Sequence, residues 1–404
     1  MQKNSVILLV AVFLTFFALG MPDGAFGVAW PLIRYDMGLP LGDAVSLIVI
    51  HSIFYSVSSS QIGRLAKYLR LDFISLYGFA LLLVGILGFA ISPNFIGFKI
   101  ATAVFGTGMG MIDGGLNAFA AKRLSAKHMN WMHCFWGLGG SVSPVIMGLV
   151  AAGVGWRFGY ASILAVQAVI FIFVAFTIFK GLWVYQLQRS KPASAQAALP
   201  PNRAEDEVEE NGEAAFLTAM RFPVLQLVIF FFYTAFEYSV TFWTVSVFIE
   251  SRGVYFETAA LLPAFYLGFL MFGRSIFGYV TDKVASSYVI RLGLIFAACG
   301  LVVLIFSGGS VWAFVGISMV GFGFAPVFPC LMDETKRRFN PKILAKLVGL
   351  QVAAAGAGVA IGSLAMERVL ALVSLNALYP MVLISVVVVF SLNEFIEISL
   401  KYKI

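Results

Sequence analysis

Twelve stretches of about 20 apolar residues, each bounded by charged or turn residues, leave this 404-residue chain few ways to fold. They run over 6–33, 42–64, 73–91, 95–121, 131–153, 157–180, 222–249, 258–280, 287–307, 311–333, 344–366 and 372–396. A run of that length satisfies its backbone in hydrocarbon only as a helix or as part of a closed barrel. The runs are continuous and lack the two-residue alternation of a barrel strand, so an all-α integral membrane protein with 12 transmembrane helices is expected. Composition agrees, since 60% of residues are hydrophobic and only 12% charged, far from the balance of a soluble domain. Lys3 and the small residues of Ala18-Leu-Gly20 imitate a signal peptide. The apolar run continues through Trp30 and Pro31, however, so a retained first helix is expected.

The net charge of +7 invites a nucleic-acid reading, but the basic residues are sorted by membrane side and form no binding patch. Even-numbered connections hold Arg64, Lys67 and Arg70; Lys122, Arg123 and Lys127; Lys283 and Arg291; and Lys336, Arg337, Arg338, Lys342 and Lys346. Odd-numbered connections hold single bases such as Arg34, Arg157, Arg252 and Arg368. By the positive-inside rule the even connections and both termini face the cytoplasm of a multi-pass cell-membrane protein, the inner membrane if the source is bacterial. Cys134, Cys299 and Cys330 fall in or beside apolar runs and have neither disulfide nor zinc spacing.

The pattern breaks once, between the sixth and seventh runs, where Pro200-Pro201 and the acidic run Glu205 to Glu213 read as a solvated linker. This divides the chain into a six-helix bundle over 1–183, a cytoplasmic linker over 184–217 and a second six-helix bundle over 218–404. An offset of 215 residues relates the halves: Gly63 maps to Gly278, Gly106 to Gly321, and Lys122-Arg123 to Arg337-Arg338. Asp23 in the first run maps within one residue of Glu237 in the seventh. A duplicated 6+6 unit of this kind places a binding site between its halves.

Ionisable groups inside the apolar runs are costly and mark candidate sites. Asp113 and Asn117 lie one turn apart in Gly106-Thr-Gly108-Met-Gly110-Met-Ile-Asp113-Gly-Gly-Leu-Asn117, so the amide shares a helix face with the acid. Counting back from Lys122-Arg123 puts Asp113 about 15 Å into the membrane, near its midplane. A carboxyl there either cycles between protonated and ionised forms or is held neutral by interhelical hydrogen bonds. Asp23, between Pro22 and Gly24, is expected on a kinked or unwound first helix. Glu237 shares a face with Thr241 and Thr244, and the two acids offer acceptors from both halves to a polyol or cation, or pair with a buried base such as Arg274. His133, Trp30 and Trp136 are candidate cavity residues, Lys99 is expected to snorkel, and Pro144, Pro326 and Pro329 are candidate kinks.

Twelve runs, a central linker and the loop Gly278-Tyr-Val-Thr-Asp282-Lys283 resemble the major facilitator superfamily. The matching first-half loop, Gly63-Arg64-Leu-Ala-Lys67, carries Lys where that family has an acid; Gly63, Arg64, Gly278, Asp282 and Lys283 are the candidate gating residues. Gly108 to Asn117, followed by Asn130-Trp-Met-His133-Cys-Phe135-Trp136-Gly137, is similar to the fourth and fifth helices of the fucose/galactose/glucose–proton symporter branch. Glu237 and Gly273-Arg274 look like related bacterial and fungal members of unassigned substrate. The resemblance implies that Asp113, standing where the branch usually has Glu, binds sugar and proton. The chain departs from the branch at Trp136, where a polar residue is usual, and in the position of Asp23, one turn early.

These readings converge on a monomeric secondary active transporter of a small polar solute, a monosaccharide or polyol, driven by a proton gradient with sodium as the alternative ion. Asp113, Asp23 and Glu237 are the expected coupling acids, and Asp113, Asn117, Asp23, Glu237, His133, Trp136, Trp30 and Thr241 the expected solute contacts. Proton-coupled efflux of a drug or metabolite, and a solute sensor that does not translocate, are the alternatives. No phosphate-binding loop points to ATP hydrolysis, and no nucleophile or metal constellation points to an enzyme. The partners expected are the solute and the lipid bilayer, with neither nucleic acid nor a cofactor.

Overall fold

The computed structural model describes residues 3–124, 126–185, 213–281, 283–307, 310–339 and 341–402. Its 12 spans are Val6–Asp36, Asp43–Leu65, Leu71–Ile91, Phe95–Ala120, Trp131–Val154, Trp156–Phe179, Phe222–Ser251, Phe256–Val280, Ser286–Phe306, Ser310–Arg338, Leu347–Leu372 and Leu375–Leu400. They are numbered here in that order. Residues 186–212, most of the expected linker, lie outside the described residues. The helix of the seventh span starts at Glu213, inside the stretch read as linker.

The two sets of six helices pack alike. In the first half the first span lies along the fifth, the third along the fourth, the second along the fourth and the third along the sixth. The second half repeats this with the seventh on the eleventh, ninth on tenth, eighth on tenth and ninth on twelfth. Without water between helices, close approach of small residues supplies the attraction. Gly78 and Gly108 meet backbone to backbone between the third and fourth spans, and Gly293 and Gly323 do so between the ninth and tenth. Gly106 abuts the His51 backbone, and Gly321 the Tyr266 backbone. The 215-residue offset relates every member of these contacts to its counterpart. The fold is therefore the expected pair of six-helix bundles.

Two expectations about helix continuity come out differently. The first helix runs unbroken from Lys3 to Asp36 through Pro22 and Pro31. Its glycines serve packing: a Cβ at Gly20 would fall on the Trp136 carbonyl, and one at Gly24 on that of Gly140. The tenth span does break, between helices Ser310–Phe324 and Val327–Arg338, where Pro326 has no N–H to continue the ladder. Pro144 sits inside a continuous helix, Ala126–Val154. The Nζ of Lys99 lies 4.4 Å from the Phe95 ring centroid, one turn toward the helix end.

Several close contacts join the halves at the end away from the chain termini. Arg34 Nη2 lies 2.8 Å from Glu250 Oε2 there, Gly42 abuts the Glu367 carboxylate, and Gly27 faces the Phe242 backbone so closely that a Cβ would stand 2.9 Å from its Cα. The Phe26 and Phe242 rings meet at a tilt across the same seam with centroids 5.3 Å apart. Toward the termini the fifth and eighth spans stay together, with Cys134 Sγ 3.6 Å from Ser275 Oγ.

One buried ionic cluster holds the second half at the termini end. The side chain of Arg338, 1% exposed, donates from Nη1 to Gln226 Oε1 at 3.1 Å and from Nη2 to Asn393 Oδ1 at 2.9 Å. Its Nε lies 3.4 Å from Glu334, and its Nη2 3.3 Å from Glu397. Removing one partner of such a cluster strands the opposite charges. Arg338→Met is expected to cost about 3–5 kcal/mol, seen as a large fall in the thermal midpoint in detergent. Lys336→Met removes a base that is 68% exposed and 3.8 Å from Asp333; its cost is expected to stay below about 1 kcal/mol.

Candidate functional site

Two polar groups face each other across the middle of the bundle. On the first-half side, Asp113 projects from the fourth span, half-buried, and accepts at Oδ2 from Tyr55 of the second span at 2.6 Å. Its Oδ1 accepts from Asn117 Nδ2 at 2.8 Å, and the same amide donates to the Asp113 carbonyl at 3.0 Å. The glycines Gly106, Gly110 and Gly114, spaced by four, let the second helix approach near enough for the Tyr55 hydroxyl to reach. Each carboxylate oxygen thus has a donor fixed on a helix, and the group remains partly open.

Asp23 is half-buried on the first span and accepts from Trp136 Nε1 of the fifth span at 3.2 Å. It is close enough to Asp113 for the two charges to interact. His133 is exposed, yet it packs edge-on against Phe16 with centroids 5.3 Å apart and feels both Asp113 and Arg274. A side chain that is open to solvent while near charges from both halves lines the space between them. Trp30, by contrast, is 0% exposed and sits in the hydrophobic core of the first half.

On the second-half side, Glu237 of the seventh span has its Oε1 3.8 Å from Nη2 of Arg274 on the eighth. Thr241 donates to the Glu237 carbonyl at 3.4 Å. The guanidinium of Arg274 stands 6.0 Å from the Trp136 ring centroid, which brings the second-half base to the first-half indole. Asp23 is likewise within electrostatic reach of Tyr238 on the seventh span. Asp113, Asn117, Asp23, Trp136, His133, Glu237 and Arg274 therefore share one region between the halves, whereas Gly63, Arg64, Gly278 and Lys283 of the expected gating set lie elsewhere. Gly63 and Arg64 are exposed, and Arg64 bonds Gln61 of its own loop at 3.2 Å; Gly278 and Lys283 are exposed, and Asp282 falls outside the described residues.

Tyr55 is the residue that sequence reading passed over. It follows His51 by one turn, and that histidine lies between the rings of Tyr55 and Phe105. The four-residue glycine spacing was the available signal, because it marks the fourth-span face that the second helix must cover.

Acids and donors thus gather midway between the two bundles. The chain is 22% identical over 339 residues to the hexuronate transporter of Bacillus subtilis (strain 168), covering 78% of this chain and 74% of that protein. Among solved structures it is similar to a D-xylose–proton symporter, with a TM-score of 0.72, 13% identity, and coverage of 98% of this chain and 97% of that one. It is also similar to the nucleoside transporter NupG, with a TM-score of 0.74, 12% identity, and coverage of 97% and 98%. Residues 8–363 match the family model of the Major Facilitator Superfamily, and the chain belongs to that family of membrane transporters.

Proposed function

We propose that this protein carries a small polar solute, a monosaccharide or related polyol, by alternating access, and that Asp113 takes up and releases the coupled proton. The observation that carries this reading is the Tyr55–Asp113–Asn117 cluster, a half-buried carboxyl at mid-span whose two oxygens are tied to two different helices. A change in the packing of the second against the fourth span alters the donors around that carboxyl, which links proton occupancy to helix movement. The hydroxyl-rich solutes of the hexuronate transporter and the xylose symporter support a sugar-like substrate. In this reading the end bearing both termini faces the cytoplasm, and the Arg34–Glu250 seam closes the outer face.

Concentrative uptake into proteoliposomes under an imposed pH gradient, across a panel of sugars and polyols, tests the coupling. Asp113→Asn is expected to abolish accumulation above equilibrium while keeping solute exchange. If the variant still accumulates solute, the proton is carried elsewhere. Replacing sodium by potassium in the same assay separates the two ions, and transport in the export direction alone would favour efflux. Tyr55→Phe and Asn117→Ala each take one donor from Asp113, and each is expected to slow uptake by about tenfold or more, the worth of a hydrogen bond to a charged group.

The seam makes a second prediction. Its ion pair is about a quarter exposed on each side, so it contributes at most about 1 kcal/mol, or about a fivefold population change. Arg34→Ala is therefore expected to raise the alkylation rate of a cysteine placed at Phe26, in a background without the native cysteines, by no more than about fivefold. A larger rise would make the pair the main closure.

A further inference from the structure

Every other arginine that pairs across spans has its carboxylate at bonding distance. Arg34 lies 2.8 Å from Glu250, Arg157 2.5 Å from Asp36, and Arg291 holds Glu394 with two bonds of 2.6 and 2.9 Å. Arg274 is different. The carboxylate it pairs with, Glu237, has its Oε1 3.8 Å from Nη2, too far for a charge-assisted bond, and its Nε, like that of Arg338, is buried with no hydrogen-bond partner among the described residues.

A guanidinium never gives up its charge in a protein, and leaving its donors empty away from water is costly. The backbone does not let the residue retreat. A Cβ at the preceding Gly273 would stand 2.6 Å from the Ala325 Cβ and 3.1 Å from the Phe322 carbonyl, so the eighth helix is pressed against the break of the tenth. The side chain stays 27% exposed, beside the Trp136 ring and near His133, on the space that separates the halves. Arg274 is thus a partly exposed cation beside the space between the halves, with its own carboxylate partner beyond bonding distance.

We infer that Arg274 is the specificity-determining residue that receives a carboxylate on the carried solute, so that the substrate class is a sugar acid, a uronate or aldonate, ahead of neutral sugars. The planar fork matches a carboxylate with two parallel bonds, which a hydroxyl cannot supply. Asp113, Asn117 and Asp23 stand on the opposite side of the same space with acceptors and donors suited to ring hydroxyls. A molecule with a carboxylate at one end and hydroxyls along the rest meets both sets. This inference rests on the sugar-like reading proposed above and narrows it.

The test uses the purified full chain in detergent, with D-glucuronate and D-glucose as probes matched in ring and size, and binding read by titration. Parent protein is expected to bind glucuronate the more tightly. Arg274→Gln is expected to weaken glucuronate by about ten- to a hundredfold, the value of bonds to a charged group, and to affect glucose far less. Arg274→Lys keeps the charge but loses the fork and is expected to fall between; it also serves if the Gln variant is unstable, as judged by ligand-free melting. Equal binding of the two probes by the parent, or parent-like glucuronate affinity in Arg274→Gln, overturns the role of Arg274 and leaves the transport reading standing. Binding of neither probe overturns the sugar-acid class together with the sugar reading beneath it.

Discussion

Hydrocarbon offers no partner to a backbone N–H or C=O, and that single constraint shapes the molecule. Every apolar run must close its own hydrogen bonds as a helix, and the helices then have only shape with which to hold one another. The glycine contacts follow from this. Gly78 on Gly108 and Gly293 on Gly323 bring backbones together where a methyl group would already collide. The same packing that stabilises each half also positions the site, because Gly106, Gly110 and Gly114 bring the second helix within reach of Asp113.

Duplication kept this packing and let the chemistry diverge. The offset carries Gly106 and His51 onto Gly321 and Tyr266 with the contact intact, yet it carries Asp113 to Phe328 and Asn117 to Met332. In the second half Phe328 packs edge-on against Phe230, at a centroid distance of 5.3 Å, and the tenth span breaks just before it. The second half instead holds the fixed base of the site, Arg274, and its own ionic cluster around Arg338. One half therefore supplies a carboxyl with donors, and the other a cation with an incomplete set of acceptors.

Much of this was legible in the sequence, for identifiable reasons. Helical spans announce themselves by length and hydropathy, and Asp113 with Asn117 by a four-residue spacing that no later packing can alter. Tyr55 was not legible, because a tyrosine in an apolar run is ordinary until the helix opposite is known. Pro22 and the glycines around Asp23 suggested unwinding, but Gly20 and Gly24 face the fifth helix and Gly27 the seventh at contact distance, and packing holds the turn that local propensity would loosen. Trp30 looked like a cavity aromatic from its distance to Asp23; it lies on the buried face, which the near-uniform apolarity of that helix concealed. Of the loop signature around Gly278 and Asp282, Gly278 is exposed and Asp282 lies outside the described residues.

A carrier must open the seam it closes, so the closure has to be worth little more than a solute can repay through its preference for one state. The Arg34–Glu250 pair meets that requirement because water reaches both side chains and reduces its value. The Gly27–Phe242 approach and the tilted Phe26–Phe242 ring contact add short-range contacts that vanish after a small separation. By contrast, the Arg338 cluster is dry and strained by no cross-half partner; it joins the seventh, tenth and twelfth spans of a single bundle. The buried ionic cluster thus lies within one bundle and the water-exposed pair across the seam, the division that the proposed alternating-access cycle requires.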